Sequence, residues 1–123
     1  MPGVVYFNIA ADDPERAAQF YEEALGWKVS KLAGPVARWT IETGEEDEPG
    51  IDGGISYRSE DWQSVTSFIE VSSIGKALDD IESAGGSVVQ DRIMIPGIGY
   101  VAAFEDTEGN VLGLIESSEG DAI

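Results

Sequence analysis

FNIAADDPERAAQFYEEALGW, residues 7–27, is the stretch whose reading decides the fold. It continues an apolar run over 4–10, rich in β-branched and aromatic side chains, which predicts a buried strand. Alternation sends Phe7 and Ile9 to one face of that strand and Tyr6 and Asn8 to the other. A helix start follows. Asp13 can cap it, Pro14 suits the first helical position, and Glu15 sits where the helix dipole favours an anion. Ala17, Phe20, Tyr21, Ala24 and Leu25 recur at helical spacing, so both aromatics read as core. Gly26 supplies the stop.

The same order returns in FIEVSSIGKALDDIESAGG, residues 68–86. There Ser72 or Ser73 caps, Ile74, Ala77, Leu78 and Ile81 form the stripe, and Gly85-Gly86 ends the helix. Between the two copies, strands are predicted over 27–32, 37–43 and 55–58. A Gly34-Pro35 turn separates the first two, and the polar loop GEEDEPGIDGG, expected to be mobile, precedes the third. Residues 59–63 read as a hinge, with Trp62 within it as a core contact, the alternative being a domain or subunit seam. Further strands are predicted over 66–71, 87–90, 99–105 and 111–116, with turns at Pro96-Gly97 and at 106–110. The order is β-α-β-β-β, twice. The class is therefore α+β: two βαβββ modules, about 4–59 and 65–116, forming paired curved mixed sheets with helices outside, in one domain with an acidic tail over 117–123. The cleft between the sheets is the expected ligand site.

Composition narrows the chemistry. At 123 residues the chain contains 24 acidic and 7 basic side chains, for a net charge of −17, and no cysteine or histidine. Disulfides, thiolate metal sites, thiol nucleophiles and imidazole bases are excluded. Binding to nucleic acid or to an anionic membrane is not expected, because phosphate contacts need cations. No apolar run approaches a membrane span, and MPGVVYFNI lacks a basic leader, so the cytoplasm is the expected compartment. Three lysines among so many carboxylates fit a halophile, where salt screens self-repulsion.

DPERAAQFYEEALGW (13–27), AGG (84–86) and PGIGYVAAFEDTEGNVLGLIE (96–116) together resemble the glyoxalase/bleomycin-resistance/extradiol-dioxygenase group, the vicinal oxygen chelate superfamily. Thr107 stands where that family's closing motif has proline. The resemblance implies the duplicated fold, a small-molecule ligand and a homodimer. In metal-dependent members it implies four His or Glu ligands around a divalent ion. Carried over, those positions fall at Tyr6, near Ser56 or Tyr57, at Thr66 and at Gly113, none of them His or carboxylate. No metal and no other cofactor is therefore expected. By strand parity the cleft lining is Tyr6, Asn8, Arg38, Tyr57, Thr66, Phe68, Tyr100 and Ala102, with Gly113 leaving space. Arg38 and Arg92 are each expected to pair with nearby carboxylates, the alternative being a ligand carboxylate.

The function expected from these residues is metal-free binding of a small apolar or aromatic molecule, in the manner of the bleomycin-resistance branch. The alternative is a divergent metal-dependent enzyme of the superfamily, a lactoylglutathione-lyase-like lyase, an isomerase or a dioxygenase, using carboxylates such as Glu70 and Glu116. A third possibility is a structural subunit whose cleft is vestigial. The charge excess carries its own test. Unfolding free energy should rise between low and molar potassium chloride, measured by urea titration, and equal stability at both would count against salt adaptation.

Overall fold

A computed structural model describes residues 2–34, 37–45 and 47–116. The predicted Pro35 turn position and the acidic tail over 117–123 lie outside the described residues. The order is β1 (Val4–Ala11), α1 (Pro14–Leu25), β2 (Lys28–Leu32), β3 (Arg38–Glu42), β4 (Gly53–Tyr57), β5 (Val65–Glu70), α2 (Ile74–Ser83), β6 (Ser87–Ile95), β7 (Gly99–Glu105) and β8 (Val111–Glu116). The fold is α+β and runs β-α-β-β-β twice. Two compact units result: Val5–Thr66, and the chain from Ser67 onward with the N-terminal residues through Val4.

In the first unit the strand order is β2-β3-β4-β1, with β1 and β4 parallel and the other neighbours antiparallel. Asp13 caps α1 by accepting from Arg16 N at 3.1 Å, Pro14 follows, and Gly26 closes the helix at φ 72°. The helix packs Ala18 onto Ala11, Trp39, Ile41 and Ile55, all odd-numbered strand residues. Tyr21 stacks on Trp27 with centroids 5.1 Å apart. Phe20 does not join this core and is 60% exposed, as Ala24 and Leu25 are exposed. The buried stripe centres on Pro14, Ala17, Ala18 and Tyr21, and Phe20 stands about 100° round from Tyr21.

Strand β4 begins at Gly53, two residues before the predicted start, because both glycines receive aromatic rings. A Cβ at Gly53 would lie 2.7 Å from ring carbons of Phe7, its partner in register. One at Gly54 would lie 3.4 Å from Cζ of Tyr6. The loop before β4 is tied down: Thr43 N donates to Asp52 Oδ1 at 3.0 Å and Thr43 Oγ1 to Ile51 O at 2.5 Å. In the hinge Arg58 clasps Asp12 Oδ1 (3.2 Å), Ala10 O (3.3 Å) and Gln63 O (3.2 Å), while Trp62 is half-buried.

The second unit repeats the topology as β5-β8-β7-β6, with β5 and β8 parallel. Ser73 caps α2, accepting from Lys76 N at 3.2 Å. Ile74 and Leu78 bury against Ala102, Phe104 and Leu114. Strand β6 runs to Ile95, beyond the predicted 87–90, carried across Asp91-Arg92 by two shifts of register. The turn after β7 forms as expected. Asp106 Oδ1 accepts from Glu108 N (2.8 Å) and Asn110 N (2.9 Å), which holds its carboxyl below the usual carboxylate range.

Glu116 anchors this unit. Its Oε1 accepts from Ile74 N at 2.7 Å at the start of α2, and its Oε2 faces Arg92 Nη2 at 3.3 Å. The Arg92 guanidinium lies 3.6 Å above the Tyr100 ring. One buried carboxylate thereby joins β8, β6 and β7 to the positive end of the helix. Glu116→Ala should lower the unfolding free energy by about 3 kcal/mol, the low end for a broken buried pair since Arg92 keeps access to water. Phe20→Ala should shift it by no more than about 0.5 kcal/mol. Urea unfolding of the two variants checks both, and similar losses would contradict these placements.

Candidate functional site

In the first unit α1 covers the odd-numbered strand face, and the other face carries Tyr6, Asn8, Arg38, Thr40, Gly54 and Ser56. Register places Arg38 opposite Ser56, and Ser56 opposite Ala10 on β1. Asn8 Nδ2 donates to Ser56 Oγ at 2.9 Å, with the residues 3% and 8% exposed. Asn8 Oδ1 and Arg38 Nε are sealed from solvent and have no hydrogen-bond partner among the described residues. Turning the amide over would exchange which of its two atoms is satisfied, so one remains orphaned either way.

Arg38 and Tyr6 sense each other. Burial pushes the Tyr6 phenol above its ordinary value, and the Arg38 charge opposes part of that rise. Burial lowers the Arg38 guanidinium from its ordinary value, and Tyr6 opposes part of that fall. Thr66, at the end of this unit, is 4% exposed.

In the second unit the face away from α2 carries Phe68, Val101, Ala103 and Gly113. It is apolar. Gly113 leaves no space there, because Phe68, its partner in register, lays its ring where a Cβ would stand, with Cζ at 2.8 Å. Strand parity misplaced three residues. Tyr57 is on the α1 side, 55% exposed and edge-on to Trp39 at 6.0 Å. Tyr100 and Ala102 are on the α2 side, Tyr100 under Arg92. Parity failed because β4 opens with two glycines and β7 is buried on both faces, so neither strand shows alternation. Ser56 takes the place expected for Tyr57. Arg92 pairs with a carboxylate as expected, whereas Arg38 has no such partner among the described residues.

The superfamily's metal does not fit these residues. Its four positions hold Tyr6, Ser56, Thr66 and Gly113, which offer hydroxyls and no side chain. Among the described residues no three His, Cys, Asp or Glu side chains are grouped to hold an ion. Glu116 is committed to Ile74 N and Arg92 on the helix side, and Glu70 is exposed.

Two open grooves of the first unit lie apart from the polar cluster. One of about 410 Å³ passes Phe20 and Tyr21, and its Arg16 and Arg58 face Asp13 and Asp12 at 4.0 and 3.2 Å. The other, about 500 Å³, lies by Trp27 among Glu42, Glu45 and Glu48. No described helix is long and apolar enough to cross a membrane.

Residues 3–114 match the family described as the Glyoxalase/Bleomycin resistance protein/Dioxygenase superfamily. A glyoxylase-like domain-containing protein of Didymella fabae is 32% identical over 108 residues, 84% of each chain. Among solved structures, a hypothetical protein of Bacillus halodurans C-125 superposes with a TM-score of 0.72 at 16% identity over 95% of both chains. A methylmalonyl-CoA epimerase in complex with methylmalonyl-CoA and NH4+ gives 0.70 at 14% identity over 96% of both. The methylmalonyl-CoA epimerase of Mycobacterium tuberculosis gives 0.67 at 15% identity, over 98% of this chain and 92% of that one.

The raised phenol predicts a late component in a native tyrosinate absorbance titration, above about pH 10. Tyr6→Phe should remove it, and Arg38→Gln should move it higher. The unfolded chain loses this proton first, so stability should fall as pH rises from about 10 through the native value, less steeply in Tyr6→Phe. Identical titrations of wild type and Tyr6→Phe would contradict the burial of this group.

Proposed function

Because the chain belongs to the Glyoxalase/Bleomycin resistance protein/Dioxygenase superfamily, we propose that it is a binding protein for a small aromatic or amphipathic molecule, held without metal. The ligand sits on the helix-free face of the first unit, at Tyr6, Asn8, Arg38 and Ser56. One observation carries this: a side chain as deeply buried as Asn8 keeps one amide atom without a partner among the described residues, and Arg38, opposite Ser56 in register, keeps its Nε in the same condition. An orphaned buried polar atom costs about 1–3 kcal/mol, a debt that a ligand donor or acceptor removes.

A metal-dependent lyase, isomerase or dioxygenase is the alternative. The likeness to methylmalonyl-CoA epimerase concerns the fold, at 14% identity, and the donor set argues against an ion at the superfamily's usual place. Self-association into a homodimer is part of the proposal. Val65, Met94 and Phe20, at 61%, 53% and 60% exposure, are apolar groups that a partner copy could cover.

Thermal denaturation in the presence of a panel of small aromatic and amphipathic compounds tests the reading. At least one should raise the melting temperature, the stabilisation reaching about 2.7 kcal/mol at a hundredfold excess over Kd. EDTA should leave that shift unchanged, and Asn8→Ala should reduce it. A panel without effect, or a shift that needs added Zn, Ni or Mn, would overturn the proposal.

A further inference from the structure

We propose that the ligand of this face is a carboxylate, and that Arg38 is the residue that receives it. The inference rests on the binding face proposed above and names the class of molecule it takes. Its starting point is how the chain distributes positive charge. There are four arginines in a protein with 24 acidic residues. Three of them meet carboxylates: Arg16 meets Asp13 at 4.0 Å, Arg58 meets Asp12 at 3.2 Å, and Arg92 meets Glu116 at 3.3 Å. Arg38 makes no ion pair among the described residues, although its Nε is sealed from water and has no hydrogen-bond partner among them.

Its surroundings explain the isolation. On its face of the sheet, β1 supplies Tyr6, Asn8 and Ala10, and β4 supplies Gly54 and Ser56. Leu32 is its register partner on β2, and Thr40 follows on β3. None carries a charge at neutral pH, and the first acidic residue further along β3 is Glu42, which is exposed. A partly desolvated cation without a counter-ion is unfavourable, and in so acidic a chain a neighbouring Asp or Glu would have been the simple remedy. Keeping carboxylates out of Arg38's immediate surroundings leaves a positive centre for an anion that arrives from outside.

The geometry selects the kind of anion. Only Nε of the Arg38 guanidinium is sealed, while the Nη edge is neither sealed nor hydrogen-bonded to described residues. Two parallel N–H groups on that edge match the two oxygens of a planar carboxylate end-on. The Tyr6 phenol on the same face is kept protonated by burial, so it adds no negative charge to compete with an incoming anion. Asn8 then meets the part of the ligand next to the carboxylate.

Calorimetric titration of matched pairs tests this: benzoate against benzamide, phenylacetate against phenylacetamide and indole-3-acetate against its amide, in low-chloride buffer. At least one carboxylate should bind about tenfold or more tightly than its amide, with amide-proton shifts at Asn8 and Ser56. Arg38→Gln should equalise the pair, and Arg38→Lys should retain part of the preference. Removing an uncompensated charge should not lower the ligand-free melting temperature of Arg38→Gln, which separates a lost anchor from a lost fold. Amides binding as tightly as acids, or a preference that survives Arg38→Gln, would overturn the carboxylate and leave the binding face standing. No binding by either series would overturn both.

Discussion

Where the parallel strands meet, aromatic rings occupy the space that glycine leaves. Phe7 lies over Gly53 across β1 and β4, Tyr6 reaches over Gly54, and Phe68 lies over Gly113 across β5 and β8. A side chain of any size at those glycines would have to displace a ring that is itself held in the sheet. The pairing therefore fixes register, and register fixes which residues share a face, since a slip of one position would turn every side chain over. Asn8 reaches Ser56, and Arg38 stands opposite Ser56, only in the register that these rings impose.

The same packing removes a corner of the superfamily's usual site. Gly113 falls where a metal ligand is expected from the resemblance, and the Phe68 ring fills the volume such a ligand would need. At Tyr6 the phenol is buried and held in its protonated form, a poor donor to a divalent ion. What the helix-free face of the first unit carries is a fixed organic cation, Arg38. A guanidinium cannot act as a Lewis acid, but it orients a planar anion through two hydrogen bonds and needs no ion from solution.

Much of the fold was legible because its signals are local. Asp13-Pro14, Gly26, Ser73 and the Asp106–Asn110 turn each state their backbone geometry in a few residues, and each forms as read. The repeat of β-α-β-β-β was legible for the same reason. What failed was non-local. Phe20 fitted a helical stripe, but how much of that stripe is covered depends on where the sheet lies, and it left Phe20 in solvent. Tyr57 and Tyr100 required the phase of strands that begin with glycine or are buried on both faces, where alternation carries no information. At the site, Tyr6, Asn8 and Arg38 were found by parity from Phe7 and share one face. In sequence Ser56 is one of two register choices, and parity favours its neighbour Tyr57. That Arg38 has no carboxylate partner among the described residues could not be read at all, since 24 acidic residues in sequence say nothing about which face each occupies.

Two scales of electrostatics meet at Arg38. At long range a chain of net charge −17 repels any anion approaching it. That repulsion acts across water and is screened within about 3 Å at molar salt. At contact, a carboxylate would meet the guanidinium among uncharged neighbours, partly out of water, where screening is weak. Salt therefore acts on the two terms unequally, taking down the barrier to approach while leaving much of the contact intact. An acidic surface and an anion-receiving arginine are compatible on this account, provided that the cation is kept from the protein's own carboxylates. The uncharged neighbours Tyr6, Asn8, Ser56, Thr40 and Leu32 do that by separating Arg38 from the acidic surface.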